Sequence, residues 1–170
     1  GISHVDTGSV AIKVNDDGYY SLMIGATDMG TGCDTILTQM AGECLDCDMS
    51  DILVHGVDTD VSPYDCGSYA SSTTYVTGMA VVRTCETLRK KLCERGAEYL
   101  GCSVEDVEFD GQKVTNLKTG ESITRRDIGN KVMSFSNEPL SASEAFSSPT
   151  SPPPFMVGMA EVEIDKETGV

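Results

Sequence analysis

Two short stretches carry residue types able to hold a ligand. The first, Asp28-Met29-Gly30-Thr31-Gly32-Cys33, sets two glycines around a threonine and runs straight into Ile36, Leu37, Met40, Ala41, Cys44 and Leu45, spaced for one stripe of a helix. A helix entrance exposes unpaired backbone N–H groups, and glycines let a ligand come close to them, so an anionic group fits there. The same pattern also serves a plain strand-to-helix turn. The second stretch, Tyr69-Ala70-Ser71-Ser72-Thr73-Thr74, gathers short hydroxyls just before another helical pattern. Such hydroxyls can cap a helix or bond an oxygen-rich ligand.

Other candidates are weaker. Cys44 and Cys47 form a Cys-x-x-Cys pair, but no second such pair exists, and the two histidines, His4 and His55, have no nearby cysteine partner. A zinc site would need those further ligands. The remaining cysteines, at 33, 66, 85, 93 and 102, read as reduced thiols, those in helical patterns as small buried hydrophobes. Glu161, Glu163 and Asp165 alternate and lead into a turn, which gives them surface and hairpin duty. No catalytic residue and no metal ligand is nominated.

The elements that must position the two stretches follow from the pattern. Val10, Ile12 and Val14 alternate, Asn15-Asp16-Asp17-Gly18 turns, and Tyr20, Leu22 and Ile24 alternate again, a hairpin feeding the first helix. That helix is expected near residues 32–46. A strand follows at 51–57, then a turn containing Pro63, Tyr64 and Gly67. Gly78, Val81, Cys85, Leu88 and Leu92 recur at helical steps, so a long helix is expected near 71–98. Asp110-Gly111 turns between two short strands, and Thr124 with Asp127 reads as a capping box for a short helix. Residues 134–154 are rich in Ser, Pro and Asn and read as a long loop. Strand character returns at 155–165, before a Lys-Glu-Thr-Gly turn. The expected organisation is an α+β domain over 1–133 with mixed or antiparallel sheets under two main helices, the 134–154 loop, and a returning strand of the same domain within 155–170. A strand entering a turn expects a partner, and the chain opens on Gly1, so it reads as a piece of a longer polypeptide.

Charge narrows the partners. Twelve Lys and Arg stand against 27 Asp and Glu, a formal charge of −15 over 170 residues, which repels phosphate backbones and anionic lipid surfaces. Neither nucleic acid nor membrane is an expected partner. With no apolar run long enough to cross a bilayer and no signal-like N-terminus, the chain reads as cytoplasmic.

Three ordered segments together go beyond pattern. Gly25-Ala26-Thr27-Asp28-Met29-Gly30-Thr31-Gly32 with the helix after it, the run from Asp58 to Val81, and the segment 155–169 with its Glu-Val-Glu-Ile-Asp strand resemble the molybdenum-cofactor-binding region of the xanthine dehydrogenase and aldehyde oxidase family of molybdenum hydroxylases. The resemblance implies that Gly30, Thr31 and Gly32 approach a pterin cofactor at a helix entrance. It implies that Tyr69, Ala70, Ser71, Ser72 and Thr73 pass beside the metal and contact the pterin. Thr31 stands where the animal enzymes commonly carry Gln, and Tyr69 where the family often has a small residue. The implied cofactor is molybdenum-molybdopterin, its nucleotide form left open, in the full-length enzyme. Iron-sulfur clusters and FAD are implied on other domains or subunits, the remainder of the large subunit as a partner, and a heteroaromatic or aldehyde small molecule as the substrate to be hydroxylated. The family's general-base glutamate belongs to a motif downstream of the Glu-Val-Glu-Ile-Asp strand and has no counterpart here. The isolated chain is therefore expected neither to turn over substrate nor to hold molybdenum tightly. Two other readings remain at this stage: an acidic α/β interaction module without pterin, and a thiol-disulfide protein built on Cys44 and Cys47.

Overall fold

A computed structural model describes residues 6–136, 138–150, 153 and 156–169. Strand β1 (Thr7–Val14) pairs antiparallel with β2 (Tyr20–Ile24), in register Val10 to Ile24 through Val14 to Tyr20. Helix α1 (Cys33–Leu45) follows, then β3 (Ile52–His55), which pairs parallel with β2. Because β2 and β3 run in the same direction, their C-terminal ends share one edge of the sheet. Helix α2 (Thr73–Leu100) lies across the sheet, and α1 packs beside it.

The core is the inward face of the hairpin, with Val10, Ile12, Tyr20, Leu22 and Ile24 fully covered, against Val76, Ala80, Val81, Cys85, Leu88 and Leu92 of α2. Truncating one of these leucines to alanine costs about 2–5 kcal/mol. Close approaches are made at glycines. Gly78 of α2 sits where a Cβ would come within 2.7 Å of Met40 Sδ on α1, so the helices cross with little between them. Gly96 fits against Val114 in the same way.

Val114 belongs to a second sheet, β4 (Val107–Phe109), β5 (Lys113–Asn116) and β6 (Ser122–Thr124), antiparallel throughout and set on the C-terminal half of α2. Thr124 caps α3 (Arg125–Phe135), its hydroxyl accepting from Asp127 N–H at 3.0 Å. The buried Arg125 ties the two halves together. Its guanidinium donates to Gly111 O and to Asp51 Oδ2, both at 2.9 Å, and lies over the Tyr20 ring.

Two expectations are corrected. The 134–154 segment is no continuous loop, since β7 (Ser141–Ser147) pairs with β1 along seven residues and completes the order β3-β2-β1-β7. Its inward positions are Ala142, Glu144 and Phe146. Thr87 on α2 donates to the Glu144 carboxylate at 3.0 Å, and Phe146 meets Tyr75 edge-on. A small, an acidic and an aromatic residue conceal the alternation. The returning strand is also absent among the described residues: 156–165 make no ladder, and Met156, Val157, Met159, Val162 and Ile164 are exposed. Alternation supplies a strand-like face but no hydrogen-bonding neighbour. The turn after it does form, Glu167 and Thr168 N–H both donating to Asp165 Oδ1. Phe155 and most of the proline run lie outside the described residues.

Candidate functional site

Both glycine and hydroxyl stretches open at the sheet edge where β2 and β3 end. A cavity of about 220 Å³ there is lined by Met29, Thr31 and Cys33 from the first loop and by Ser68, Ser71, Thr73 and Thr74 from the second. Some forty residues of sequence separate the two loops, and the parallel β2–β3 pair brings them together.

The first loop is built around a carboxylate. Asp28 Oδ1 accepts from the N–H groups of Gly30, Thr31 and Gly32 at 2.8, 3.1 and 3.2 Å. Those bonds, the Gly30 one foremost, hold its carboxyl below the ordinary range. The N–H groups expected to meet a ligand are thus engaged by the chain itself. Gly30 and Gly32 take φ of +97° and +73°, a left-handed backbone that glycine adopts without strain, and the space a Cβ would occupy at either is open. What this loop can offer a ligand is the Thr31 side chain, which is exposed, and a bare glycine surface. Cys33 at the helix start is a protonated thiol, pushed up to about 11 by burial and then by the Asp34 charge. Asp28, Cys33 and Asp34 lie within ligand distance of one another, but two of the three are acids at an exposed helix start, with Asp28 already bonded.

The second loop is different. Ser71 and Ala70 both take positive φ, 58° and 57°, which in a residue with a Cβ costs ~1–2 kcal/mol each. Residues 69–71 form a short 3-10 turn, and the backbone of Tyr69 belongs to it. Ala70 and Ser71 are exposed and Thr73 is half-buried. Ser72 is buried, and its hydroxyl turns back to Gly67 O at 3.4 Å. The hydroxyl run was expected to cap α2, yet no side chain caps it, because Ser72 at the cap has helical backbone angles and its hydroxyl points away. Thr73 Oγ1 is buried and has no hydrogen-bond partner among the described residues. A buried hydroxyl left unpaired costs about 1–3 kcal/mol. Other atoms of Thr73 line the shared cavity, so the hydroxyl lies in the cavity wall, and a turn of the side chain is needed to bring it to a polar ligand group.

Ser68 lines the cavity from outside the two stretches that the sequence singles out, and Met29, Cys33 and Thr74 lie within those stretches without being expected as contact residues. Asp28 carried a signal: a carboxylate two to four residues ahead of glycines is the pattern of a side chain bonding its own following backbone. A larger polar concavity of about 670 Å³ lies at the far end of α1 among Glu43, Asp46, Asp48 and Gln112. Its acidic rim and helix C-terminus disfavour an anionic cofactor. Nor do the Cys44 and Cys47 thiols suggest redox chemistry there: burial raises both, Cys47 to about 11.

Comparison with known proteins bears on this geometry. The family described as molybdopterin cofactor-binding domain matches residues 1–170. The chain is 35% identical over 170 residues to the "Probable hypoxanthine oxidase XdhD" of Escherichia coli strain K12, covering 99% of this chain and 18% of that protein. It is 26% identical over 166 residues to the xanthine dehydrogenase molybdenum-binding subunit of Escherichia coli O157:H7, covering 95% of this chain and 22% of that one. Its fold is shared with CO dehydrogenase from Oligotropha carboxidovorans, at a TM-score of 0.76 and 22% identity, over 84% of this chain and 18% of that chain. Quinoline 2-oxidoreductase from Pseudomonas putida 86 gives 0.71 at 17% identity, over 84% and 19%. The chain thus spans about a fifth of the length of these proteins.

Proposed function

Because the chain belongs to the molybdopterin cofactor-binding domain family, we propose that it forms part of the cofactor wall in the large subunit of a molybdenum hydroxylase. Thr31, Ser71 and Thr73 face the cofactor, with Gly30, Gly32, Ala70 and the backbones of Tyr69 and Ser72 shaping the approach. The observation that carries this is the cavity that both loops line, with Thr73 in its wall and the Thr73 hydroxyl without a partner among the described residues. The residues present fit a polar, oxygen-rich group there. α2 also begins with no acidic residue in its first turn and no side-chain cap, which leaves positive potential at its mouth.

A molybdenum-molybdopterin cofactor, when bound, supplies the oxidative chemistry. This chain's residues would bind and orient it: the Thr73 hydroxyl, once turned toward the cavity, and Ser71 would supply hydrogen-bonding hydroxyls, and Thr31 would supply one from the first loop. The general base would come from elsewhere in the polypeptide. Iron-sulfur and FAD units on other domains or subunits, in a cytoplasmic enzyme, would supply the electron transfer, and the substrate would be a small heteroaromatic compound or aldehyde. Some relatives are themselves named as subunits of dehydrogenases. Nothing in the fold favours the acidic interaction module.

Metal and pterin analysis tests the reading. The full-length polypeptide containing this chain, produced with cofactor supply, should carry molybdenum and pterin in equal amounts. The 170-residue chain alone should carry neither and show no dye-coupled oxidation. A full-length protein without pterin would overturn the proposal; stoichiometric molybdenum on the short chain would overturn the claim that the wall is shared.

A further inference from the structure

Asp65 lies outside the cavity, yet its two carboxylate oxygens close the second loop at both ends. Oδ1 accepts from Gly67 N–H at 2.8 Å where the loop begins, and Oδ2 accepts from the Thr77 hydroxyl at 2.7 Å in the second turn of α2. Everything between them, including the left-handed Ala70 and Ser71, is bracketed by one side chain. The backbone next to Asp65 is fixed in turn. Cys66 N–H donates to Thr7 O at 3.1 Å, Thr7 N–H donates to Cys66 Sγ at 3.3 Å, and Gly8 bridges to Asp65.

Room for this anchor is built from glycines. A Cβ on Gly25, at the end of β2, would strike Pro63 O and come within 2.7 Å of Asp65 Cβ; one on Gly8 would come within 2.6 Å of Thr77 Oγ1. The bare backbone at these two positions lets the 63–65 segment and α2 seat directly on the sheet. The anchor therefore ties the second loop to the same β2 end from which the first loop departs.

We propose that Asp65 is a positioning residue for the cofactor wall: by holding Gly67 N–H and the Thr77 hydroxyl together, it fixes the Ala70–Ser71 turn that presents Ser71 and Thr73 to the cavity. The proposal rests on the cofactor reading for its consequence and on the loop geometry for its cause, so two measurements separate them. Hydrogen exchange in the full-length polypeptide reads the loop. Asp65→Ala should speed exchange of the 67–72 amides about tenfold or more while amides of β1 and of the C-terminal half of α2 keep their rates. Cofactor content reads the consequence. The same variant, with the parent's circular-dichroism spectrum, should retain about tenfold less molybdenum and pterin after dialysis. Thr77→Val removes only the helix arm and should move both readouts in the same direction by about threefold, which serves if Asp65→Ala fails to fold. Unchanged exchange in the variants would overturn the anchoring. Faster exchange with undiminished cofactor in folded protein would overturn the positioning role. A parent polypeptide without pterin would overturn the cofactor reading instead, and exchange alone would then decide the anchor.

Discussion

The loops entering α1 and α2 meet at one cavity and solve opposite problems. At α1 the chain fills its own anion site: Asp28 takes three N–H groups, and Asp34 adds a second carboxylate in the first turn. At α2 no side chain caps the helix, two residues with side chains are held left-handed, and a buried hydroxyl has no partner among the described residues. The first loop satisfies its own polar groups; the second leaves one unsatisfied among the described residues. A glycine-rich turn before a helix is therefore a poor guide to where backbone donors are free. The better guide is the place where the fold leaves a polar group unsatisfied and sustains strain around it.

The strongest way to break this contrast is Thr73→Val, which keeps the shape and deletes the hydroxyl. In the full-length protein cofactor affinity should fall about 10- to 100-fold, the worth of one hydrogen bond to a polar or charged group. The emptied protein should become more stable by about 1 kcal/mol, because an unpaired buried hydroxyl gives way to a methyl group. Urea denaturation and cofactor retention measured side by side check the two signs. A loss of stability in the empty protein would mean that the hydroxyl has a structural partner, and the difference between the loops would shrink.

Much of this architecture was legible in the sequence, because α1, α2 and the β1–β2 hairpin carry strong apolar periodicity and clear turns. β7 was not legible: its inward-facing residues include the half-buried Glu144, which finds its hydrogen-bond partner in Thr87 of α2. Residues 156–165 show the converse. Their alternation is plain, yet a strand exists only when another strand accepts its hydrogen bonds. At the site, the two stretches could be found by composition, but their roles could not. Whether an N–H group is open depends on where the Asp28 carboxylate turns. Whether Thr73 is capped or orphaned depends on the backbone angles of Ser72, and Asp65 acts across twelve residues through Thr77.

A reciprocal pair of substitutions sharpens the contrast in the backbone itself. Gly32→Ala puts a Cβ on a residue at φ +73° with open space around it, so the cost is conformational, about 1–2 kcal/mol. Ala70→Gly does the reverse at φ 57° and should stabilise the empty protein by about 0.5–1 kcal/mol after the greater freedom of the unfolded chain is counted. Opposite shifts in denaturation midpoint are expected. If both destabilise, the Ala70 conformation is not strained, and the second loop loses one of its distinguishing features.

The smallest effect concerns protons. Asp28 is fully exposed, and its carboxyl lies below the ordinary value of 3.8 because the Gly30 N–H first, and those of Gly32 and Thr31 with it, favour the charged form. A group whose folded value is depressed contributes its stabilisation above 3.8 and loses it as pH falls through the lower, folded value. The first loop should therefore hold its shape through the neutral and mildly acidic range and loosen only below 3.8. The Gly30, Thr31 and Gly32 amide resonances of isotopically labelled protein should move together with a midpoint under that value. The first-turn amides of α2, which no side chain caps, should not share the transition. A midpoint at or above 3.8 would mean that Asp28 does not hold these N–H groups in solution. They would then be open to an outside anion, and the two helix entrances would be alike in the one respect that separates them.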